Sequence, residues 1–159
     1  MSLARQVLQE FKKARGGFDP SNIEKILNEL GIENYTIRPD FRVDVDGDVN
    51  IRNRNLETLP VRFGKIKGSF DCSNNNLKSL EGAPSQVGYS FSCSYNNLKS
   101  LEGAPSQVGD NFYCFNNNLT SLTGAPSEVG GQFNCQNNTK KFTEADVRAV
   151  SKVGRIITT

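Results

Sequence analysis

Cysteine is the residue type in this chain with the widest chemistry, because a thiolate can act as a nucleophile or as a metal ligand. The sequence has no histidine, so it lacks the commonest general base near neutral pH and the commonest metal ligand. It also lacks the C-x2-C spacing typical of zinc sites, a G-x-S-x-G motif and a P-loop. We therefore predict a protein that is not an enzyme and that uses no metal and no cofactor. The cysteines stand 21 residues apart, at Cys72, Cys93, Cys114 and Cys135.

The cysteines belong to a longer repeat with the same period. Three copies read F-x-C-x-x-N-x-L-x-x-L and are followed by Gly-Ala-Pro and a valine, and a fourth keeps only F-x-C-x-x-N. A degraded copy precedes the clear ones, with apolar residues from Val49 to Ile66 in the same phases. Self-similarity at this period predicts a solenoid of about five coils, of which the first and last are imperfect. The asparagines of the motif are Asn75, Asn96, Asn117 and Asn138.

Each part of the repeat has a structural role. The F-x-C stretch is a short strand whose alternate side chains face inwards. The asparagine turns the chain and satisfies backbone groups, so stacked copies predict a ladder through the array. One coil cannot bury its own apolar face, and stacking of neighbours makes the core. We expect the cysteines to pack in that core, and a disulfide between neighbouring coils or a metal site stays an open alternative.

Segments on either side of the repeats are predicted to cover its ends, since an open apolar stack requires caps. We divide the chain into an N-terminal cap of residues 1–48, a repeat array of residues 49–139 and a C-terminal cap of residues 140–159. The predicted fold class is α+β: a solenoid with a parallel strand face, between an N-terminal cap of helices plus a hairpin and a C-terminal helical cap.

The N-terminal cap contains two predicted helices, a strand and a hairpin. Apolar spacing predicts the first helix over residues 2–14. The second helix has Asp19 as its N-cap, Pro20 in its first turn and Gly31 as its terminator. The run YTI predicts a strand, and FRVDVDGDVNI predicts a hairpin about the Asp46–Gly47 turn. The acidic run also resembles the start of a calcium loop, but it lacks the glutamate at loop position 12.

The C-terminal cap begins where the repeat loses its leucine, at Lys140. Thr143 and Asp146 have the spacing of a capping box, which opens a helix predicted to run to about Lys152. Residues 154–158, GRIIT, predict a last strand.

The motif resembles the leucine-rich repeat L-x-L-x-x-N-x-L, with Phe and Cys at the two strand positions. The segment GIENYTIRPDFRVDVDGDVNIRNRNLETLPVRFGKIKGSFDCSNNNL, the LEGAP coils and the closing KFTEADVRAVSKVGRII are similar to leucine-rich-repeat proteins encoded by tailed bacteriophages. The resemblance covers about residues 31–157. It implies an architecture and, as a setting, the cytoplasm of an infected bacterium. It supplies no active site.

Residues between the inward positions of the strands point outwards and are mostly small or polar. An aromatic pair in the fourth coil, with a third ring at the turn edge, is a candidate interface anchor; the alternative is that the Phe packs locally. Five strands span only about 20 Å, so this face alone is smaller than a standard interface. The candidate protein-binding residues are Tyr95, Tyr113, Phe115, Asn111, Asn134 and Gln136.

A second candidate surface is electrostatic and lies near the first coil. Basic residues concentrate there, diluted by Glu57, and they are a candidate patch for an anionic partner; a solvated edge is the alternative. No RNP-like motif, zinc finger or basic helix accompanies them. The residues are Arg52, Arg54, Arg62, Lys65 and Lys67.

These features predict a non-enzymatic protein that binds another macromolecule, above all a protein. The resemblance implies a phage protein that binds and modulates or inhibits a bacterial host factor in defence or transcription. A virion-associated or structural phage component and a nucleic-acid-binding protein are the alternatives. No apolar run approaches the roughly 20 residues of a membrane span, and the first residues lack the apolar stretch of a secretory signal. We expect a cytoplasmic monomer without a membrane partner.

Overall fold

Residues that recur every 21 positions stack into inward-facing columns in the structure, a computed structural model that describes residues 21–158. The chain winds as a β-solenoid of about five turns. Neighbouring turns pair in register, so that Phe91 lies between Phe70 and Phe112. The predicted repeat architecture is confirmed at this level, with parallel strands, a 21-residue spacing and few helices. The predicted helix over residues 2–14, Asp19 and Pro20 lie outside the described residues.

Every turn contributes two short strands, and these form two parallel ribbons that run along the solenoid. The first ribbon consists of β2 (Val43–Val45), β4 (Phe63–Ile66), β6 (Gln86–Val87), β8 (Gln107–Val108) and the start of β10 (Glu128–Asn134). The second ribbon consists of β3 (Val49–Asn50), β5 (Phe70–Asp71), β7 (Phe91–Ser92), β9 (Phe112–Tyr113) and the end of β10. Because β10 belongs to both, the ribbons join into one sheet.

The described ends of the solenoid carry short elements of other types. Helix α1 (Ser21–Leu30) buries Ile23, Ile26 and Leu27. Strand β1 (Tyr35–Ile37), which the sequence predicts, pairs antiparallel with β2. At the other end, β11 (Lys152–Ile157) adds a parallel strand to β10, as the GRIIT run predicts. Between residues 21 and 158, no helix has the length and apolar character to cross a membrane.

The predicted hairpin about Asp46–Gly47 is wrong. Strand β2 pairs with β1 and β4, whereas β3 pairs with β5. The two strands therefore belong to different ribbons, as the two rungs of one turn. The reason is that Val45 and Val49 fit the apolar columns of Ile66 and Phe70, and those non-local pairings outweigh the local Asp-Gly turn signal.

The C-terminal helix is shorter than predicted. Helix α2 covers Glu144–Arg148 and does not reach Lys152, which pairs with Glu128 as the first residue of β11. The capping box itself is present: Asp146 N–H donates to Thr143 Oγ1 at 3.2 Å, and Thr143 N–H donates to Asp146 Oδ2 at 2.7 Å. That backbone hydrogen bond is the main reason why the pKa of Asp146 lies below its ordinary value.

Glycines mark the corner between the two ribbons, where consecutive turns pass at close range. A Cβ on Gly109 would overlap the carbonyl oxygen of Gly88, and a Cβ on Gly130 would overlap that of Gly109. The Val-Gly step of each repeat is therefore a steric requirement of tight stacking.

The asparagine ladder joins each turn to the turn before it. Asn96 Oδ1 accepts from Leu77 N–H at 2.9 Å, and its Nδ2 donates to the carbonyl oxygens of Cys72 and Cys93 at 3.1 and 3.0 Å. The side chain thus satisfies backbone groups of two turns in a site that is only 7% exposed. Asn75, Asn117 and Asn138 repeat the arrangement.

The ladder predicts an asymmetry between two adjacent asparagines. Replacing Asn96 by alanine leaves one buried N–H and two buried carbonyl groups without their hydrogen-bond partner. We therefore expect the free energy of unfolding to fall by about 2–4 kcal/mol. Asn97→Ala is the control, because this side chain is exposed, and its effect should stay within about 0.5 kcal/mol. Urea unfolding followed by circular dichroism measures both. Equal losses in the two variants would contradict the ladder.

Candidate functional site

The side of the second ribbon that points away from the core is the surface on which the turns differ most from one another. Its residues alternate with the buried Phe and Cys columns. Strand register aligns Asp71, Ser92, Tyr113 and Asn134 in one row. Backbone hydrogen bonds between successive turns align the next row, Ser73, Ser94, Phe115 and Gln136. We call the part of this surface on the third to fifth turns the outer face.

Three aromatic side chains meet on the outer face. The ring centroids of Tyr95 and Phe115 are 5.4 Å apart with an interplanar angle of 79°. Those of Tyr113 and Phe115 are 6.1 Å apart at 81°. Tyr95 is 50% exposed, and the other two are half-buried. Phe115 thus packs locally, as the alternative interpretation expects, yet it does so as the centre of a partly exposed group. We call these three residues the aromatic cluster.

Tyr95 has a backbone conformation that its residue type disfavours. The position before each ladder asparagine is left-handed: Asn74 has φ 53°, Asn116 has φ 53° and Asn137 has φ 52°. Asparagine tolerates this region, whereas a larger side chain pays about 1 kcal/mol or more. Tyr95 has φ 54° in the same position of the third turn. The sequence contains a signal for this strain, since Tyr replaces Asn at one phase of the repeat.

A serine beside the aromatic cluster has an unsatisfied hydroxyl. In the second turn, Ser73 Oγ donates to Asp71 Oδ1. The third turn has Ser92 in place of that aspartate, and the Oγ of Ser94 is buried with no hydrogen-bond partner among the described residues. Sequence reasoning missed this group because Ser94 looks like an ordinary outward serine of the repeat.

The three polar candidates on the outer face differ in how available they are. Asn111 Oδ1 accepts from Gln132 N–H at 2.9 Å, and its Nδ2 donates to Asp110 Oδ2 at 3.0 Å. Asn134 is 8% exposed, and its Oδ1 accepts from Gln136 N–H at 3.2 Å. Gln136 is half-buried. The side chains of Asn111 and Asn134 therefore form hydrogen bonds within the protein. Gln136 lies in the same row as Phe115.

The basic residues of the first turns are divided between the two ribbons and the bends beside them. Arg52 belongs to the second ribbon and lies 3.9 Å from Asp71. Lys65 belongs to the first ribbon, opposite Gln86. Lys67 pairs with Asp46 at 2.8 Å. Arg54 Nη2 donates to the Leu30 carbonyl at 3.3 Å, and Arg62 flanks the start of β4. Arg52 and Lys67 thus lie beside carboxylates, and whether the five residues act together stays a prediction.

The four cysteines lie in the core. The Sγ atoms of Cys72, Cys93 and Cys114 donate to backbone carbonyls of the next turn at 3.3, 3.5 and 3.5 Å. Burial raises the pKa of these three thiols well above the ordinary value, and it raises the pKa of Cys135 to about 11. Within the described residues, no group of three or more Cys, Asp or Glu has the geometry of a metal site.

Comparison of the chain with protein-family models, with curated proteins and with solved structures finds no match. The resemblance to phage leucine-rich-repeat proteins therefore rests on the motifs alone. What the fold itself supports is the repeat solenoid.

The buried thiols predict low reactivity in the native state. At pH 8 the native protein should react with a small aromatic disulfide reagent at least about a hundredfold more slowly than the protein in denaturant, because the thiolate is disfavoured and access requires opening. The measurement is the release of chromophore against time, and four equivalents should appear after unfolding. Rapid labelling of any native cysteine would contradict the inward placement.

The strain at Tyr95 predicts an order of stability among three variants. Tyr95→Asn should be about 0.5–1 kcal/mol more stable than Tyr95→Ala, since both lose the ring and only asparagine tolerates this conformation. In the converse test, Asn116→Tyr should destabilise the protein, because it adds the same strain to the fourth turn. Denaturant unfolding gives all three values, and an alanine variant as stable as the asparagine variant would remove the argument for strain.

Proposed function

We propose that the protein binds a partner protein through the outer face, with the aromatic cluster as its anchor. The observation that supports this most is Tyr95, a strained and half-exposed tyrosine where the neighbouring turns have asparagine. Backbone strain that persists at an exposed position is found mainly at functional sites. The proposed function is binding.

The composition of the outer face supports a protein partner. Aromatic residues are enriched, and charged residues depleted, in the centre of protein interfaces. Tyr, Ser and Asn also dominate antibody paratopes, where rigid rings supply contact area and small polar groups supply hydrogen bonds. The positions that alternate with the buried columns on the third to fifth turns carry no charge, and Ser94 and Asn134 among them are buried. One exposed carboxylate borders them: Asp110 Oδ2 accepts from Ser90 Oγ at 3.1 Å and from Asn111 Nδ2 at 3.0 Å. The uncharged residues are Ser90, Ser92, Ser94, Tyr95, Asn111, Tyr113, Phe115, Asn116, Gln132, Asn134, Gln136 and Asn137.

The location of the cluster supports its role as an anchor. Hot spots lie near the centre of an interface and are enriched in Tyr. The cluster lies on the third and fourth of about five turns, so polar rungs flank it on both sides along the solenoid. The aromatic cluster thus lies at the centre of the outer face, with residues that can form hydrogen bonds on both sides of it.

Nucleic acid is less well supported as a partner. Phosphate binding depends on several cations that face one strand together. Here the basic residues are divided between ribbons, and Arg52 and Lys67 lie beside carboxylates. The outer face has aromatic rings without basic neighbours, which a single-stranded nucleic acid would require.

The resemblance adds a setting to this proposal. On that basis the protein is phage-encoded and its partner is a bacterial host factor, which it modulates or inhibits in the host cytoplasm. A virion component would instead be recovered with purified particles. The motifs carry this part of the proposal, and the outer face carries the binding function independently.

The binding proposal has a direct test with a matched control. The double variant Tyr113→Ser plus Phe115→Ser gives the fourth turn the residues that the third turn has at Ser92 and Ser94. We expect its affinity for the partner to be at least about tenfold lower, because aromatic rings at hot spots contribute about 2 kcal/mol or more. Tyr89→Ser is the control, since Tyr89 is 63% exposed at the ribbon corner outside the cluster.

The measurement is capture from bacterial lysate, with and without nuclease treatment, by tagged protein. Quantitative mass spectrometry detects the partner, and circular dichroism verifies folding. The partner should be retained by the wild-type protein and by Tyr89→Ser, and lost by the double variant. Equal capture by all three forms would refute the role of the cluster. A partner that disappears on nuclease treatment would show that nucleic acid mediates the contact.

A further inference from the structure

We infer that strand β11 is a pairing edge on which a second copy of this chain docks through its own β11, antiparallel, to form a two-fold symmetric dimer. The inference concerns the C-terminal end of the solenoid and is independent of the outer face. It departs from the monomer that the sequence predicts. Three features of the edge support it: unpaired backbone groups, a spacing that matches itself, and charges that allow the pairing.

Strand β11 is the last described rung of the stack and has a partner on one side. It pairs with β10 from Lys152 opposite Glu128 to Ile157 opposite Asn134. No strand within residues 21–158 pairs with its other side. The strand has six residues, whereas β7 and β9 have two each. A long unpaired edge is a template for another strand, and proteins usually cover or blunt it.

The inner turns show which backbone groups of β11 face the open side. In the second ribbon, Phe91 N–H donates to a carbonyl of the following turn at 2.8 Å. In the first ribbon, the Val87 carbonyl accepts from an N–H of the following turn at 2.9 Å. Ile156 continues the Phe column and Val153 continues the Val column. The Ile156 N–H and the Val153 carbonyl therefore point away from β10, to the side on which no described strand lies.

These two groups are spaced so that β11 can pair with itself. In a hydrogen-bonded antiparallel pair, opposite residues bond each other through their backbone groups. A second β11 whose pairing is centred between Gly154 and Arg155 has its Ile156 opposite Val153. The Val153 carbonyl then accepts from the Ile156 N–H of the second copy, and the two-fold axis repeats this bond.

The bend between the two ribbons is compatible with that symmetry. A Cβ on Gly154 would lie 3.4 Å from the carbonyl oxygen of Gly131 and 3.6 Å from that of Gly130, so Gly154 lies at the ribbon corner. The corner therefore falls at the midpoint of the self-pairing register. A two-fold axis through this point superposes one bent strand on the other, and the first ribbon of each copy meets the second ribbon of its partner.

The charges along β11 select the antiparallel arrangement. Like charges directly opposite each other on neighbouring strands are unfavourable. In the antiparallel register, Arg155 stands opposite Gly154 of the second copy. Lys152 stands opposite Ile157 of that copy. A parallel, in-register copy would instead place each basic residue opposite itself.

The N-terminal end of the sheet argues against a head-to-tail stack. There, β1 lies antiparallel on β2 and ends the first ribbon. A second β11 would end the sheet at the other side in the same manner. A head-to-tail stack would instead have to continue the first ribbon on β2 of the next copy, which β1 and β4 already pair on both sides. The open edge therefore favours a closed dimer over a filament.

The dimer is expected to be weak, because its backbone pairing is limited to one rung. Interfaces that bury less than about 1,000 Å² are transient, and we expect half of the chains to be dimeric at about 10–500 µM. Sedimentation equilibrium of the whole protein from about 1 µM to about 1 mM measures this association.

Gly154 provides a matched set of variants, because a Cβ at this position makes only ordinary contacts. Gly154→Lys places a like charge opposite Arg155 twice in each dimer, so dimerisation should be about threefold to tenfold weaker than in Gly154→Ser. Gly154→Glu places the opposite charge there, and dimerisation should be stronger by a similar factor. Gly154→Ser controls for the added side chain, and circular dichroism verifies folding.

Amide hydrogen exchange of the isotope-labelled wild-type protein locates the interface without any substitution. Exchange at Ile156 should be at least about threefold slower at the highest concentration than at the lowest, because dimerisation gives this N–H a partner. Exchange at Asn97, whose N–H donates to the Leu77 carbonyl within the chain, should not depend on concentration.

Three results would overturn the inference. The first is a protein that stays monomeric over the whole concentration range. The second is a dimer of equal strength in the lysine and glutamate variants. The third is a dimer that protects amides of the outer face and leaves Ile156 unprotected, because another surface then holds the two copies together. The proposed binding function is judged separately, by partner capture with the double variant.

Discussion

Hydrogen bonding between successive turns is the constraint on which the structure depends. Each turn of 21 residues is too thin to hold a core, so its backbone groups are satisfied by the turns on either side. Strand rungs satisfy them along both ribbons, and the ladder asparagines satisfy them at the turn where strand pairing ends. The same close spacing imposes glycine at the ribbon corner, where a Cβ on Gly109 would overlap the turn before it. Residue identity inside the solenoid is therefore fixed by the neighbour 21 residues away.

This constraint leaves the outward positions free to vary, and variation there is informative. At inward positions Phe, Cys, Asn and Leu recur because the column requires them. On the outer face no column exists, yet most turns still use Ser, Asn or Gln. Tyr95, Tyr113 and Phe115 depart from that background together and meet in space. The substitution at Tyr95 also introduces backbone strain. It is therefore harder to attribute to neutral drift than an exposed aromatic residue in an ordinary conformation, such as the β region.

The sequence predicts the periodic part of this fold well, because one column of residues reports on the same environment many times. Cys93 and Asn96 could be placed from their spacing alone. The first ribbon was harder, since Gln86–Val87 is too short for an alternating pattern and its pairing is visible only across turns. The hairpin predicted at Asp46–Gly47 was wrong for the opposite reason. The local turn signal is strong, but the pairing of β2 with Phe63 and Ile66, about 20 residues further along the chain, determines the structure. The sequence predicted the three aromatic residues of the candidate site. It did not predict the buried hydroxyl of Ser94 or the left-handed conformation of Tyr95, which only the structure shows.

The position of the cluster within the stack explains how the protein tolerates it. In a repeat protein the stability of one turn depends mainly on itself and on its two neighbours. Tyr95 lies in the third turn, where the Asn96 side chain and the backbone of the adjoining turns hold the chain on both sides. The edge-to-face contact with Phe115 contributes about 0.5–1.5 kcal/mol, which is comparable with the cost of the left-handed tyrosine. The strain is thus offset within the free protein, so the rings are already arranged before a ligand arrives. A preorganised face loses less entropy on binding, and this favours binding of a partner by a small surface.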